Sequence, residues 1–113
     1  VQAMAHSFAY PPLAYSTNAH EGSLGREAPL ARVTPGVVPT AMGRSEVDGS
    51  PALRVYNAAG AAVDAEVEVP AGSEGASLVD LMERPTGEPE RVDGAWRFPL
   101  RPWEIGTLRF GRR

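Results

Sequence analysis

Between Val63 and Val69 the chain alternates without a break, with Val63, Ala65, Val67 and Val69 on one side and Asp64, Glu66 and Glu68 on the other. A period of two does not fit a helix, whose faces repeat about every 3.6 residues. It describes an antiparallel strand with one face in a core and the other in water. Neighbouring segments carry the same signature. Ala52–Asn57 puts Leu53 and Val55 on one face and Arg54 and Tyr56 on the other. Ala95–Leu100 turns Trp96, Phe98 and Leu100 inward and Arg97, Pro99 and Arg101 outward. Ala76–Met82 reads as a further strand, because Pro85 follows too soon for a helix of ordinary length. Turns punctuate these runs at Ala58-Ala59-Gly60 and Pro70-Ala71-Gly72, and residues 84–94 form a polar loop that closes on the hairpin signal Asp93-Gly94. The 12 glycines and 11 prolines are spread along the whole chain, and no helical stripe of three or more turns survives between them. The predicted fold class is all-β, an antiparallel β-sandwich of short strands.

The first third is less regular. His6–Tyr10 alternates well enough for a short strand with Phe8 on one face, ended by Pro11-Pro12. Residues 16–27 are polar and turn-rich. Ala28–Val33 and Gly36–Met42 are extended, and Pro29, Pro35 and Pro39 confine them to sheet edges or irregular structure. Residues 1–113 therefore form a single domain, irregular and loop-rich over 11–50, with clear strands from 51 onward. The last segment, Trp103–Phe110, is apolar at Ile105, Leu108 and Phe110. Those spacings break strict alternation by one residue, and Gly106 is the natural place for a bulge that absorbs it.

Composition narrows the chemistry. A chain of 113 residues is one domain and far shorter than a barrel enzyme of roughly 250 residues. With no cysteine, disulfide frameworks, thiolate metal sites and cysteine nucleophiles are excluded. A net charge of −3 argues against nucleic acid as partner, and no apolar run approaches the roughly 18 residues of a membrane span. All 11 basic residues are arginine and Ile105 is the sole isoleucine, which reads as the codon bias of a GC-rich bacterial genome, with the bacterial cytoplasm as the expected compartment.

No catalytic constellation is visible. His6 and His20 lack ligand-spaced partners, and metal sites need several converging ligands, so both read as surface or packing residues. There is no Gly-x-Ser-x-Gly elbow and no phosphate-cradling glycine loop, and Gly22-Ser23-Leu24-Gly25 is a turn. Asp64, Glu66 and Glu68 read as a solvated outer face that discourages edge-to-edge pairing. Trp96 is in phase with the core. Trp103, after Pro102, could stack on a sugar ring or pack against a neighbour, and with Arg101 it is the candidate sugar or interface contact. From Ala95 onward five arginines face one acid, Glu104, a local +4 that leaves −7 on the rest of the chain. That split suits orientation against an acidic neighbour, or an ordinary charged face with a frayed Arg112-Arg113 tail.

Several motifs together bring a family into view. Leu53-Arg-Val-Tyr-Asn57, the Val63–Val69 strand, Asp80-Leu-Met-Glu83 and the closing Leu100-Arg-Pro-Trp-Glu-Ile-Gly-Thr-Leu-Arg-Phe110 follow one another in order. This series resembles the C-terminal β-domain of glycoside hydrolase family 38 α-mannosidases. His6-Ser-Phe-Ala-Tyr10 is similar to the stretch that begins the same part of those enzymes, and Gly25-Arg-Glu-Ala28 to the segment after it. Ala28-Pro-Leu-Ala-Arg-Val-Thr-Pro35 departs from the family pattern. The closing motif is the most specific piece.

The resemblance implies inner-face positions for Leu53, Val55, Ile105, Leu108 and Phe110, and a Glu104 that pairs with an arginine or caps a turn. It further implies a parent α-mannosidase that hydrolyses terminal α-mannosides with zinc and an aspartate nucleophile. In the family both lie outside this part of the polypeptide, so no catalytic or metal residue is expected here and no cofactor is held by this chain. The expected partner is the remainder of the parent chain, with a carbohydrate ligand as the further candidate. The alternative reading is a free-standing carbohydrate-binding module.

Overall fold

A computed structural model describes residues 2–19, 21–69 and 73–111, without the side chains of residues 2, 3, 6 and 7. His20, the Pro70-Ala71-Gly72 turn, the Arg112-Arg113 tail and the His6 side chain lie outside the described part. The order is α1 (Gln2–Ala9), β1 (Arg32–Val33), β2 (Val37–Arg44), β3 (Pro51–Asn57), β4 (Val63–Glu68), β5 (Gly75–Val79), β6 (Pro85–Gly87), β7 (Glu90–Val92), β8 (Ala95–Leu100) and β9 (Ile105–Gly111). The strands form two antiparallel sheets, β1-β4-β8-β7 and β2-β3-β9-β5-β6.

The inward residues of both sheets meet in one core. Leu53, Val55, Leu108 and Phe110 face Ala65, Val67, Trp96, Phe98 and Leu100, all buried. The strand faces of β3, β4 and β8 are those the alternation predicts. On the outer face of β4 the acids meet cations across the sheet. Glu66 Oε1 accepts from Arg97 Nε and Nη2 at 2.9 and 2.6 Å, and Glu68 lies 3.6 Å from Arg32.

Proline placement follows the missing amide donor. Pro39 sits in β2 and Pro85 in β6, the two edge strands of the larger sheet. Pro99 lies in β8 beyond Arg97, the last residue that β7 pairs with. Next to Pro39 the β2–β3 register shifts between Pro39 and Ala41, a bulge on an edge strand.

Four expectations need correction. Residues 6–9, expected as strand, belong to α1. With no sheet neighbour to pair with, the helix preference of alanine and methionine decides the segment, and Phe8 is 91% exposed. The polar loop 84–94 contains the short strands β6 and β7, which carry the chain from one sheet to the other. The closing strand starts at Ile105, two residues later than Trp103, because residues 101–104 form a turn. Finally, β9 pairs with both β3 and β5 without a register shift, so there is no bulge at Gly106. Ile105 accordingly points outward, 56% exposed, and Gly106 takes the inner-face position expected of it.

Candidate functional site

Beside the β1–β2 connection of residues 34–36, two further crossings between the sheets share one end of the sandwich, from β3 to β4 through residues 58–62 and from β8 to β9 through residues 101–104. Asn57, 1% exposed, ties the two crossings together. Its Nδ2 donates to the carbonyls of Ala61 (2.7 Å) and Arg101 (3.1 Å), and its Oδ1 accepts from the Ala59 amide (3.0 Å). The Asn57 amide itself donates to the Glu104 carbonyl at 2.9 Å. A side-chain amide suits this position because it donates and accepts at once.

Residues 101–104 form a tight turn in which the Glu104 amide donates to the Arg101 carbonyl at 3.1 Å. Pro102 and Trp103 are its central residues, and Trp103 has φ 61°. Proline followed by a left-handed residue is the type II pattern, which normally takes glycine at the second place. The Glu104 carboxylate braces the turn, accepting from the Arg101 amide at 2.6 Å and from Arg101 Nη2 at 2.9 Å. These contacts, the Arg101 side chain first, hold the Glu104 carboxyl below its ordinary pKa and raise that of Arg101. Trp103 is left 64% exposed, its ring beside Gly60, where a Cβ would stand 3.7 Å from Cζ2. A bulky residue in the left-handed region is a costly way to build a turn. Arg101 and Trp103, the two predicted contact residues, are thus adjacent in one turn, with Arg101 engaged by Glu104 and the indole turned to solvent.

At the opposite end of β3 a second carboxylate organises a loop. Glu83, at φ 59°, accepts from the Ser45 hydroxyl, from the Glu46 amide at 3.1 Å and from the Val47 amide at 3.4 Å. Asp80 accepts from the Met82 and Arg84 amides, both at 2.9 Å, and from Arg84 Nε at 2.8 Å. Hydrogen bonding, from Ser45 to Glu83 and from the Arg84 amide to Asp80, holds both carboxyls below their ordinary pKa. Glu83, Asp80 and Glu104 are therefore committed to shaping turns. Asn57 and Glu83 each end a motif of the family resemblance, but their structural roles were not legible there, since their partners lie up to 44 residues away.

The family model for the glycosyl hydrolases family 38 C-terminal beta sandwich domain matches residues 36–108. The chain belongs to this family. No curated protein and no solved structure matches it. The matched span runs from just before β2 into β9, so it holds Asn57, Glu83 and the Trp103 turn, while α1 and β1 precede it. Among the described residues of this family 38 domain, no group of three or more His, Cys, Asp or Glu side chains could hold a metal ion. Its helices include none long and apolar enough to cross a membrane among those residues.

Proposed function

We propose that the chain is the non-catalytic C-terminal β-sandwich of an α-mannosidase, docking on the remainder of that enzyme and supporting the domain that hydrolyses terminal α-mannosides. The observation that carries this reading is the Trp103 turn. Asn57, Pro102 and the Arg101–Glu104 pair all hold an indole outward in a conformation that costs stability. Such an arrangement is understandable where the exposed ring is covered by a partner surface. Membership of a family described as a C-terminal domain supplies the partner, the other domains of the same polypeptide. The segment before the matched span points the same way. Met4, Phe8, Tyr10, Leu13, Leu24 and Leu30 are exposed, although the sandwich core is complete without them. On this reading the zinc and the aspartate nucleophile of the parent enzyme are supplied by its other domains.

The test compares the 113-residue chain with the whole enzyme on an aryl α-mannoside, wild type against Trp103→Ala. The expected result is hydrolysis by the whole enzyme only, with a shortened thermal half-life and an unchanged KM in the variant. Turnover by the 113-residue chain, or a parent inactive on α-mannosides, overturns the reading. Saturable quenching of tryptophan fluorescence by mannose, abolished by Trp103→Ala, would instead establish a carbohydrate-binding module.

A further inference from the structure

Charge is unevenly spread over the surface of the sandwich. On the outer face of the smaller sheet Glu66 meets Arg97 and Glu68 meets Arg32, with Asp64 exposed on the same strand. The loops 45–50 and 80–84 carry Glu46, Asp48, Asp80, Glu83 and Arg84. The end where residues 34–36, 58–62 and 101–104 connect the sheets is different. Neither Thr34-Pro-Gly36 nor Ala58-Ala-Gly-Ala-Ala62 holds a charged side chain. The third connection has Arg101 and Glu104, and these engage each other at 2.9 Å.

The three connections are fastened into one surface. The Ala58 amide donates to the Gly36 carbonyl at 3.2 Å, Asn57 holds the Ala61 and Arg101 carbonyls, and the Trp103 ring lies beside Gly60. Gly60, Ala61 and Ala62 are exposed, and their amides have no acceptor among the described residues. The uncharged surface continues onto the larger sheet. Val38, Tyr56 and Ile105 are direct cross-strand neighbours on β2, β3 and β9. They face away from the core, which takes the alternate residues Val37 and Val55. Val38 and Tyr56 are half-buried and Ile105 is exposed. Two residues along β9 the outward Thr107 is already buried, so the opening is confined to this end.

We infer that this end of the sandwich, from the Ala58–Ala62 connection across Trp103 to Ile105, Tyr56 and Val38, is where another domain of the same family 38 polypeptide docks. The inference rests on the docking reading above and gives it a boundary and a partner chemistry. The centre of a protein interface is depleted of charge and enriched in aromatic residues, and its anchor sits in a well-packed surround. An uncharged surface selects an uncharged counterpart, because a carboxylate or guanidinium pressed against it loses water and finds no ionic partner. The covering surface is therefore apolar, with carbonyl or hydroxyl oxygens for the amides of Gly60, Ala61 and Ala62. The occupant is a domain of the same polypeptide because the family is that of a C-terminal domain, which has other domains beside it in one chain.

Amide hydrogen exchange in the whole enzyme tests it, with the 113-residue chain as reference. The expected result is exchange at Gly60, Ala61 and Ala62 slowed about tenfold or more in the whole enzyme, with the 46–49 loop alike in both. Ile105→Lys and Ala61→Glu, both at exposed positions, return Gly60 to the rate of the 113-residue chain, whereas Glu46→Lys does not. Each of the three leaves the Tm of the 113-residue chain within about 3 °C of wild type. Slowing that survives both Ile105→Lys and Ala61→Glu overturns the inference and leaves docking through Trp103 standing. Slowing at 46–49 or along β4 in place of 60–62 puts the interface elsewhere and overturns it too. Equal exchange along the whole chain removes the docking reading as well. Slowing already present in a 113-residue chain that sediments as a dimer assigns the surface to a second copy and overturns the inference.

Discussion

Gly106 on β9 lies against Leu100 on β8, across the core, so closely that a Cβ at 106 would stand 2.9 Å from Leu100 Cδ2. Phe98 Cε2 would be 3.1 Å away. The glycine is there for space, since its φ is ordinary and its strand runs in unbroken register. Gly106→Ala should destabilise the chain by about 1 kcal/mol and Gly106→Val by about 2–3 kcal/mol, the range of overpacking a tight core. Gly43 on β2 provides the control, with open space around its would-be Cβ. Denaturant titrations of the three variants check this. A Gly106→Val chain as stable as wild type would mean that the two sheets pack less closely than described.

Asn57 should be the most sensitive polar residue. Asn57→Ala leaves the Ala61 and Arg101 carbonyls and the Ala59 amide without their partner at a buried site. The expected cost is about 2–3 kcal/mol. Asn57→Asp should be worse, because a carboxylate cannot donate to the two carbonyls and would be buried beside them. Urea midpoints compare the two, and equal midpoints would remove the distinction between donor and acceptor that the geometry requires.

How much of this was legible in the sequence depends on whether a signal is local. The alternation of Val63–Val69 and of Ala95–Leu100 is read within a single strand, and it placed Val67, Phe98 and Leu100 in the core, where they are buried. Pro39 likewise confined residues 36–42 to a sheet edge or irregular structure, and β2 is an edge strand. The closing strand misled because Ile105, although apolar, faces outward, and Gly106 shows its inner-face role only against Leu100 and Phe98 from another strand. The turn residues were opaque for the same reason. Glu83 serves amides at 46 and 47, and no sequence pattern connects a carboxylate to a loop 36 residues earlier. Arg101 and Trp103 were recognisable as unusual, but the left-handed backbone at 103 is a property of the folded turn.

The depressed carboxyls set the direction of the acid response. Ser45 first holds Glu83 below the ordinary glutamate value of 4.5, and Arg101 does the same for Glu104. On unfolding each carboxyl returns to its ordinary value, so the unfolded chain takes up protons first as the pH falls. The stabilisation is therefore complete above about pH 4.5 and is lost as the pH drops through the lowered native values. The Tm should be nearly flat from about pH 7 to 5 and then fall. Glu83→Gln should start lower at neutral pH and fall less steeply. A wild-type Tm unchanged to about pH 3 would contradict the assignment.

The segment before β1 should be dispensable for folding. Its large apolar side chains, among them Phe8, Leu13 and Leu24, are exposed and absent from the core. A chain starting at Ala31, which does pack against the core, should keep its stability within about 1 kcal/mol and its Tm within about 4 °C. Differential scanning calorimetry decides it. A loss of several times that size would show that the segment covers the sandwich.

The Trp103 turn permits a test that separates stability from docking. At φ 61° the backbone of residue 103 carries a left-handed penalty of about 1–2 kcal/mol for any residue with a Cβ. Trp103→Ala keeps that penalty and loses the ring contact with Gly60, so it should be somewhat less stable than wild type. Trp103→Gly loses the same contact but removes the penalty. After allowing for the greater freedom of glycine in the unfolded chain, it should exceed the alanine variant by about 1 kcal/mol, or roughly 4 °C in Tm. Both variants lack the indole, so both should fail equally to support the remainder of the enzyme. If the alanine chain were the more stable of the two, residue 103 would not occupy the left-handed turn, and the case for an indole held outward at the expense of stability would fall with it.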